Sequence, residues 1–154
     1  MDYYFFDSSG IVKNYVIEIG TNWVKTIFNS VTTNVIYAIS IAEVEVVSAF
    51  ARRLKGKTLT VNDAAIASAQ FKYDFANDLR VIAVEPILLN RAVILAEKYA
   101  LRGYDAVQLS AAVEAFTYIK SRKQNSFIFV SADNELNSAA QNEGLAVENP
   151  NSYP

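Results

Sequence analysis

Five short apolar segments punctuate this chain, and helical patterns fill the stretches between them. Residues 3–6, 34–39, 80–84, 127–130 and 145–147 each read as a strand. Helices are predicted at about 9–17, 21–28, 41–55, 60–78, 86–99, 105–123 and 133–142. Local signals support several of these ends. Thr60-Val61-Asn62-Asp63 has the form of a capping box, and Pro86 suits the first turn of a helix. Gly56 and Gly144 are placed to stop helices, with basic residues before Gly56 complementing the negative end of the dipole. Strands alternating with helices build an α/β layer structure around a mainly parallel sheet. In such sheets ligands bind outside the carboxyl ends of the strands, where Asp7 and Asp133 both fall.

The 154 residues suit one domain, residues 1–150, followed by a short tail, 151–154. A chain of this length buries roughly two-thirds of its unfolded surface, and its 52% apolar content supplies the core. No apolar run approaches the roughly 18 residues that would span a bilayer. Met1-Asp2-Tyr3 carries no basic segment ahead of its apolar stretch and does not resemble a signal peptide, so the expected location is cytoplasmic.

Cysteine and histidine are both absent. Disulfides, thiolate chemistry, Ser-His-Asp catalysis and imidazole metal sites are therefore excluded. Any metal must be held by oxygen, which favours Mg²⁺ or Mn²⁺. A net charge of −2 makes no general case for nucleic-acid binding, which would need a local basic patch.

Four acids stand beside hydrophobic segments: Asp7 after Tyr3-Tyr4-Phe5-Phe6, Glu45 within Ile41-Ala42-Glu43-Val44-Glu45-Val46, Asp105 heading a segment with almost no polar face, and Asp133 after Phe127-Ile128-Phe129-Val130. An ionised carboxylate in apolar surroundings is costly unless something compensates it. Each also has an ordinary explanation. Asp7 and Asp133 can cap helices, Asp105 can serve a helix dipole, and Glu45 can sit on a solvated face. Their coincidence in one chain argues for a shared acidic pocket. Glu43 competes with Glu45, because two residues apart on a helix is about 200° and both cannot enter one pocket. Ser48, Ala49 and Arg52 share the Glu45 side, which favours Glu45.

Four blocks give the chain a resemblance to PIN-domain ribonucleases of the VapC type, the toxin half of prokaryotic toxin–antitoxin pairs. They are Phe6-Asp7-Ser8-Ser9 with Val12-Lys13; Val44-Glu45 through Ser48-Ala49-Phe50-Ala51-Arg52-Arg53; Arg102-Gly103-Tyr104-Asp105-Ala106-Val107-Gln108-Leu109; and Val130-Ser131-Ala132-Asp133 through Gly144-Leu145-Ala146-Val147-Glu148-Asn149-Pro150. The resemblance implies a three-layer α/β/α PIN-like domain whose acids Asp7, Glu45, Asp105 and Asp133 bind Mg²⁺ or Mn²⁺ and hydrolyse RNA. It also implies a small antitoxin partner and a homodimer. Gln108 stands where the family often has histidine, a departure expected to be harmless, and Glu135 is a candidate for the acidic rim.

Cations should frame a pocket that receives phosphates, and Arg52, Lys13 and Arg102 are the candidates for substrate binding. Two other readings compete with the toxin. One is a housekeeping PIN nuclease in RNA processing. The other is a non-catalytic α/β metal-binding signalling module, which the lack of any lysine after Lys123 disfavours.

Overall fold

The computed structural model describes residues 1–30, 32–124 and 126–154. Its strands are β1 (Asp2–Phe6), β2 (Asn34–Ile39), β3 (Arg80–Ile82), β4 (Phe127–Val130) and β5 (Ala146–Glu148). All pair in parallel, in the order β3-β2-β1-β4-β5. Helices α1 (Ser8–Tyr15), α2 (Thr21–Phe28), α3 (Ala42–Lys55) and α4 (Val61–Asn77) pack together on one face, and α5 (Pro86–Tyr99), α6 (Gly103–Ser121) and α7 (Asn134–Asn142) on the other. The expected three-layer α/β/α architecture with a parallel central sheet is the observed one.

Alternation along the central strand supplies both halves of the core. Phe5 stacks on Phe129 at 5.8 Å, while Phe6 meets Phe28 edge-on at 5.1 Å. Around the second contact Tyr15, Phe50 and Phe71 pack edge to face. Each buried phenylalanine contributes roughly 1.5–3 kcal/mol by removal from water. Because both faces of the sheet are covered, its strands read as apolar runs rather than alternating patterns.

Element ends differ from expectation in places that have local causes. β3 stops at Ile82, not residue 84; it is an edge strand, and Glu85 must stay extended ahead of Pro86. The first helix begins at Ser8, with Asp7 as its cap, and ends at Tyr15. α6 starts at Gly103 and ends at Ser121, two residues short of the predicted 123. After α3 the left-handed residue is Lys57 (φ 59°), while Gly56 keeps negative φ. Gly144, by contrast, does take φ 88° after α7.

Residues 151–154 are packed rather than loose. Pro150–Ser152 form a 3₁₀ turn, and Tyr153 stacks on Trp23 with ring centroids 4.5 Å apart and planes 2° from parallel. The Tyr153 hydroxyl donates to Glu148 at 2.7 Å. Gly20, at φ 87°, lies so close to Pro150 that an added Cβ would fall 2.3 Å from its carbonyl oxygen.

Candidate functional site

The sheet order reverses between β1 and β4, and that switch point is where an α/β sheet opens a ligand crevice. Asp7 follows β1 there and is buried, 5% exposed. Its Oδ1 accepts from the Gly10 amide at 2.8 Å and the Ser9 hydroxyl at 2.7 Å, and its Oδ2 from Ser131 at 2.6 Å. Asp7 therefore caps α1 and lies in the crevice at once. Gly10 permits this approach, since a Cβ there would meet Phe6 at 3.0 Å and the Val130 carbonyl at 3.1 Å. Ser131 and Ser9 also receive the amides of Asp133 and Ala132, which ties the ends of β1 and β4 into one network.

Asp133 caps α7 by accepting from Leu136 at 3.0 Å. Asp105 lies in the first turn of α6, half-buried. Glu45 lies near the start of α3, also half-buried, whereas Glu43 is exposed. The side-chain nitrogen of Gln108 joins these elements, donating at 2.9 Å to both Glu45 Oε1 and the Ser8 hydroxyl. Gln108 is 2% exposed, and its Oε1 has no partner among the described residues. The substitution expected to be harmless is thus a structural tie to Glu45.

Electrostatics shows which acids share a neighbourhood. Burial, followed by the charges of Asp133, Glu45 and Glu135, raises the Asp105 pKa, with Arg102 opposing. Burial lifts Asp7 to about 6 against three hydrogen bonds that pull it down, and the charge of Asp105 adds to the rise. Glu135 is exposed and acts on Asp105 from the rim. Even so, among the described residues no three acids stand close enough to make a ready metal-ligand set. The four carboxylates share a field rather than a preformed coordination sphere.

The predicted cations are differently placed. Lys13 is buried, with its ammonium committed to Glu18 at 3.1 Å and the Ile19 carbonyl at 2.8 Å. Arg102 is exposed beside Asp105. Arg52 is exposed and lines a shallow groove with Gly56 and Thr58. Its neighbour Arg53 lines that groove too, and also a cavity of about 290 Å³ with Glu45, Ser8, Ser9, Lys13 and Glu18. Arg53 and Lys13 both bind Glu18, the former at 2.9 Å. Glu18 does not stand out as a site residue in the sequence, and Arg53 figures there only within the basic run that follows Glu45. The available signal was the line Glu45, Ala49, Arg53 at four-residue spacing along α3.

No protein-family model matches the sequence, and no curated protein does. Solved structures do match. PAE2754 from Pyrobaculum aerophilum aligns over 98% of this chain and 91% of its own, at 18% identity and a TM-score of 0.61. VapBC2 from Rickettsia felis, bound to a DNA fragment from its promoter, aligns over 96% and 98% at 12% identity and 0.59. FitAcB from Neisseria gonorrhoeae aligns over 96% and 97% at 13% identity and 0.60. The likeness is one of fold. It extends over nearly the whole of each chain, so the acidic crevice lies within the shared architecture. Among the described residues no helix is long and apolar enough to cross a membrane.

Proposed function

We propose that this chain is an endoribonuclease dependent on Mg²⁺ or Mn²⁺, hydrolysing RNA phosphodiester bonds as the toxin of a type II toxin–antitoxin pair. The observation that carries the reading is Asp105, whose carboxyl is pushed up by burial and by the charges of Asp133 and Glu45 at the switch point of the sheet. Acids arranged to disfavour one another's ionisation are a poor structural device and a good cation trap. The toxin assignment draws on the four sequence blocks and on the fold held in common with VapBC2 and FitAcB.

The residues present fit a hard divalent cation. Every donor is oxygen, and the buried Gln108 Oε1 lacks a partner among the described residues. Asp7, Glu45, Asp105 and Asp133 would hold the ion. When bound, the cation supplies a water of lowered pKa and offsets charge developing on the phosphate. The chain supplies the rest. Ser9 and Ser131 orient Asp7, Gln108 orients Glu45, and Arg102 and Arg53 offer guanidinium forks for flanking phosphates. Arg52 stands outside this cavity, on the exposed side of α3, and reaches only RNA that extends past it.

A small antitoxin would silence the site by covering the acids, with an arginine as the natural plug. A cytoplasmic homodimer completes the proposal. The test is incubation of purified protein with cellular RNA, with and without Mg²⁺ or Mn²⁺, beside Asp105→Asn. Cleavage that needs the cation and is lost in the variant supports the reading. Cleavage that survives Asp105→Asn rejects it.

A further inference from the structure

At the opposite end of the sheet lies a second cleft with the reverse chemistry. It is formed where the amino ends of β1, β2 and β3 pass beneath the last turns of α6, and its volume is about 260 Å³. Tyr3, Tyr37 and Tyr118 line it, together with Arg80, Arg122 and Gln124. The strand register explains how the sheet residues come together. Tyr3 pairs with Val35, Phe5 with Tyr37, and Tyr37 with Arg80, so Tyr3, Tyr37 and Arg80 share one face. Arg122 caps the carboxyl end of α6 four residues after Tyr118, and its guanidinium sits over the phenol ring, 5.7 Å from its centroid.

The charge balance is unusual for an acidic protein. Among the described residues no Asp or Glu lines this cleft. Asp2 is the nearest acid in sequence, but alternation turns it to the other face of β1, where its charge acts on Tyr4. Neither Arg80 nor Arg122 forms a salt bridge among the described residues. Cations at the end of α6 suit its dipole, which accounts for Arg122 but not for Arg80 or the three phenols. Burial raises the Tyr37 pKa, the neighbouring Tyr118 and Tyr3 phenols add to the rise and Arg80 opposes it, as expected of groups facing one another across a narrow space.

We propose that this cleft binds a nucleoside phosphate, with the base against the tyrosines and the phosphate between Arg80 and Arg122. Aromatic faces accept any base, and a guanidinium offers a fork of donors that matches phosphate oxygens. The ligand can come as a free mononucleotide or as a residue of an RNA strand. The site is separate from the acids, which lie at the carboxyl ends of the same strands, and does not depend on them.

Calorimetric titration of the purified protein in a chelator tests this. The probes are adenosine 5′-monophosphate, adenosine, inorganic phosphate and a ten-residue oligoadenylate. Either the monophosphate or the oligonucleotide should bind at least about tenfold more tightly than adenosine or phosphate. Arg80→Ala/Arg122→Ala should lose about tenfold or more, and Tyr118→Ala should lose several-fold. Tight binding of the monophosphate identifies a free nucleotide as ligand, whereas binding of the oligonucleotide alone identifies a strand. Absence of binding by both, or binding that the double arginine variant leaves unchanged, overturns the proposal. Neither result depends on RNA cleavage.

Discussion

Gln108 donates to Glu45 across a 2.9 Å hydrogen bond that links two helices 63 residues apart in sequence. One end of that amide is satisfied twice, and the other is buried without a partner among the described residues. A buried orphan acceptor costs about 1–3 kcal/mol, so the arrangement is better explained by positioning Glu45 than by stabilising the fold.

Replacing Gln108 with Leu removes the tie and the orphan together. Thermal stability should change by less than about 1.5 kcal/mol, since removal of the orphan acceptor offsets much of the two lost bonds. Mn²⁺ affinity should fall by about tenfold or more, the usual effect of losing a group that orients a metal ligand. Calorimetry on both proteins checks this, and unchanged affinity would remove Gln108 from the site.

Asp7 gives a prediction with a defined sign. Its folded pKa of about 6 lies above the ordinary 3.8, so the native state holds the proton that the unfolded state releases. Its stabilising contribution is full below about pH 4 and is lost as pH rises to about 6. Above that, ionised Asp7 costs up to about 3 kcal/mol. Asp7→Asn should therefore be more stable than the parent in a chelator at pH 7.5, by about 1–2 kcal/mol after loss of charged hydrogen bonds. The advantage should disappear near pH 4. Urea titrations at both pH values check it, and a variant weaker than the parent at pH 7.5 contradicts the assigned shift.

The fold was largely legible in the sequence because each strand is covered on both faces and so reads as a continuous apolar run. The exception, β3, shows why: it pairs only with β2, and Val81 remains 41% exposed, so composition there cannot mark where pairing stops. The acids were legible from their places at strand and helix ends. Their supports were not. A helical pattern gives the direction of Glu45 but not which flank of α3 meets α1, and so it favoured Arg52 over Arg53. The Gln108–Glu45 bond is a tertiary contact with no local signature at all.

Arg53→Ala should weaken RNA binding more than Arg52→Ala, and should lower the salt dependence by about one unit of slope. Its bond to Glu18 is partly solvated and adds at most about 1 kcal/mol to stability, so folding should survive. Filter binding in a chelator over a range of KCl concentrations measures both variants. A larger effect at Arg52 would move the RNA path to the outer side of α3.

Tyr153→Ala should strip the stacked ring from Trp23, the sole tryptophan, and cost about 1–2 kcal/mol. Its fluorescence should report the change directly. An unaltered emission spectrum and melting temperature would show that the carboxyl-terminal turn is not held there in solution.

The central claim is that Asp7, Glu45, Asp105 and Asp133 together bind a divalent cation. Titrating metal-free protein with Mn²⁺ and counting free ion by electron paramagnetic resonance addresses it without any RNA. The account predicts saturable binding that Mg²⁺ competes away and that Asp105→Asn weakens by about tenfold or more. Binding of equal strength in the parent and Asp105→Asn, or no saturable binding in either, would contradict it.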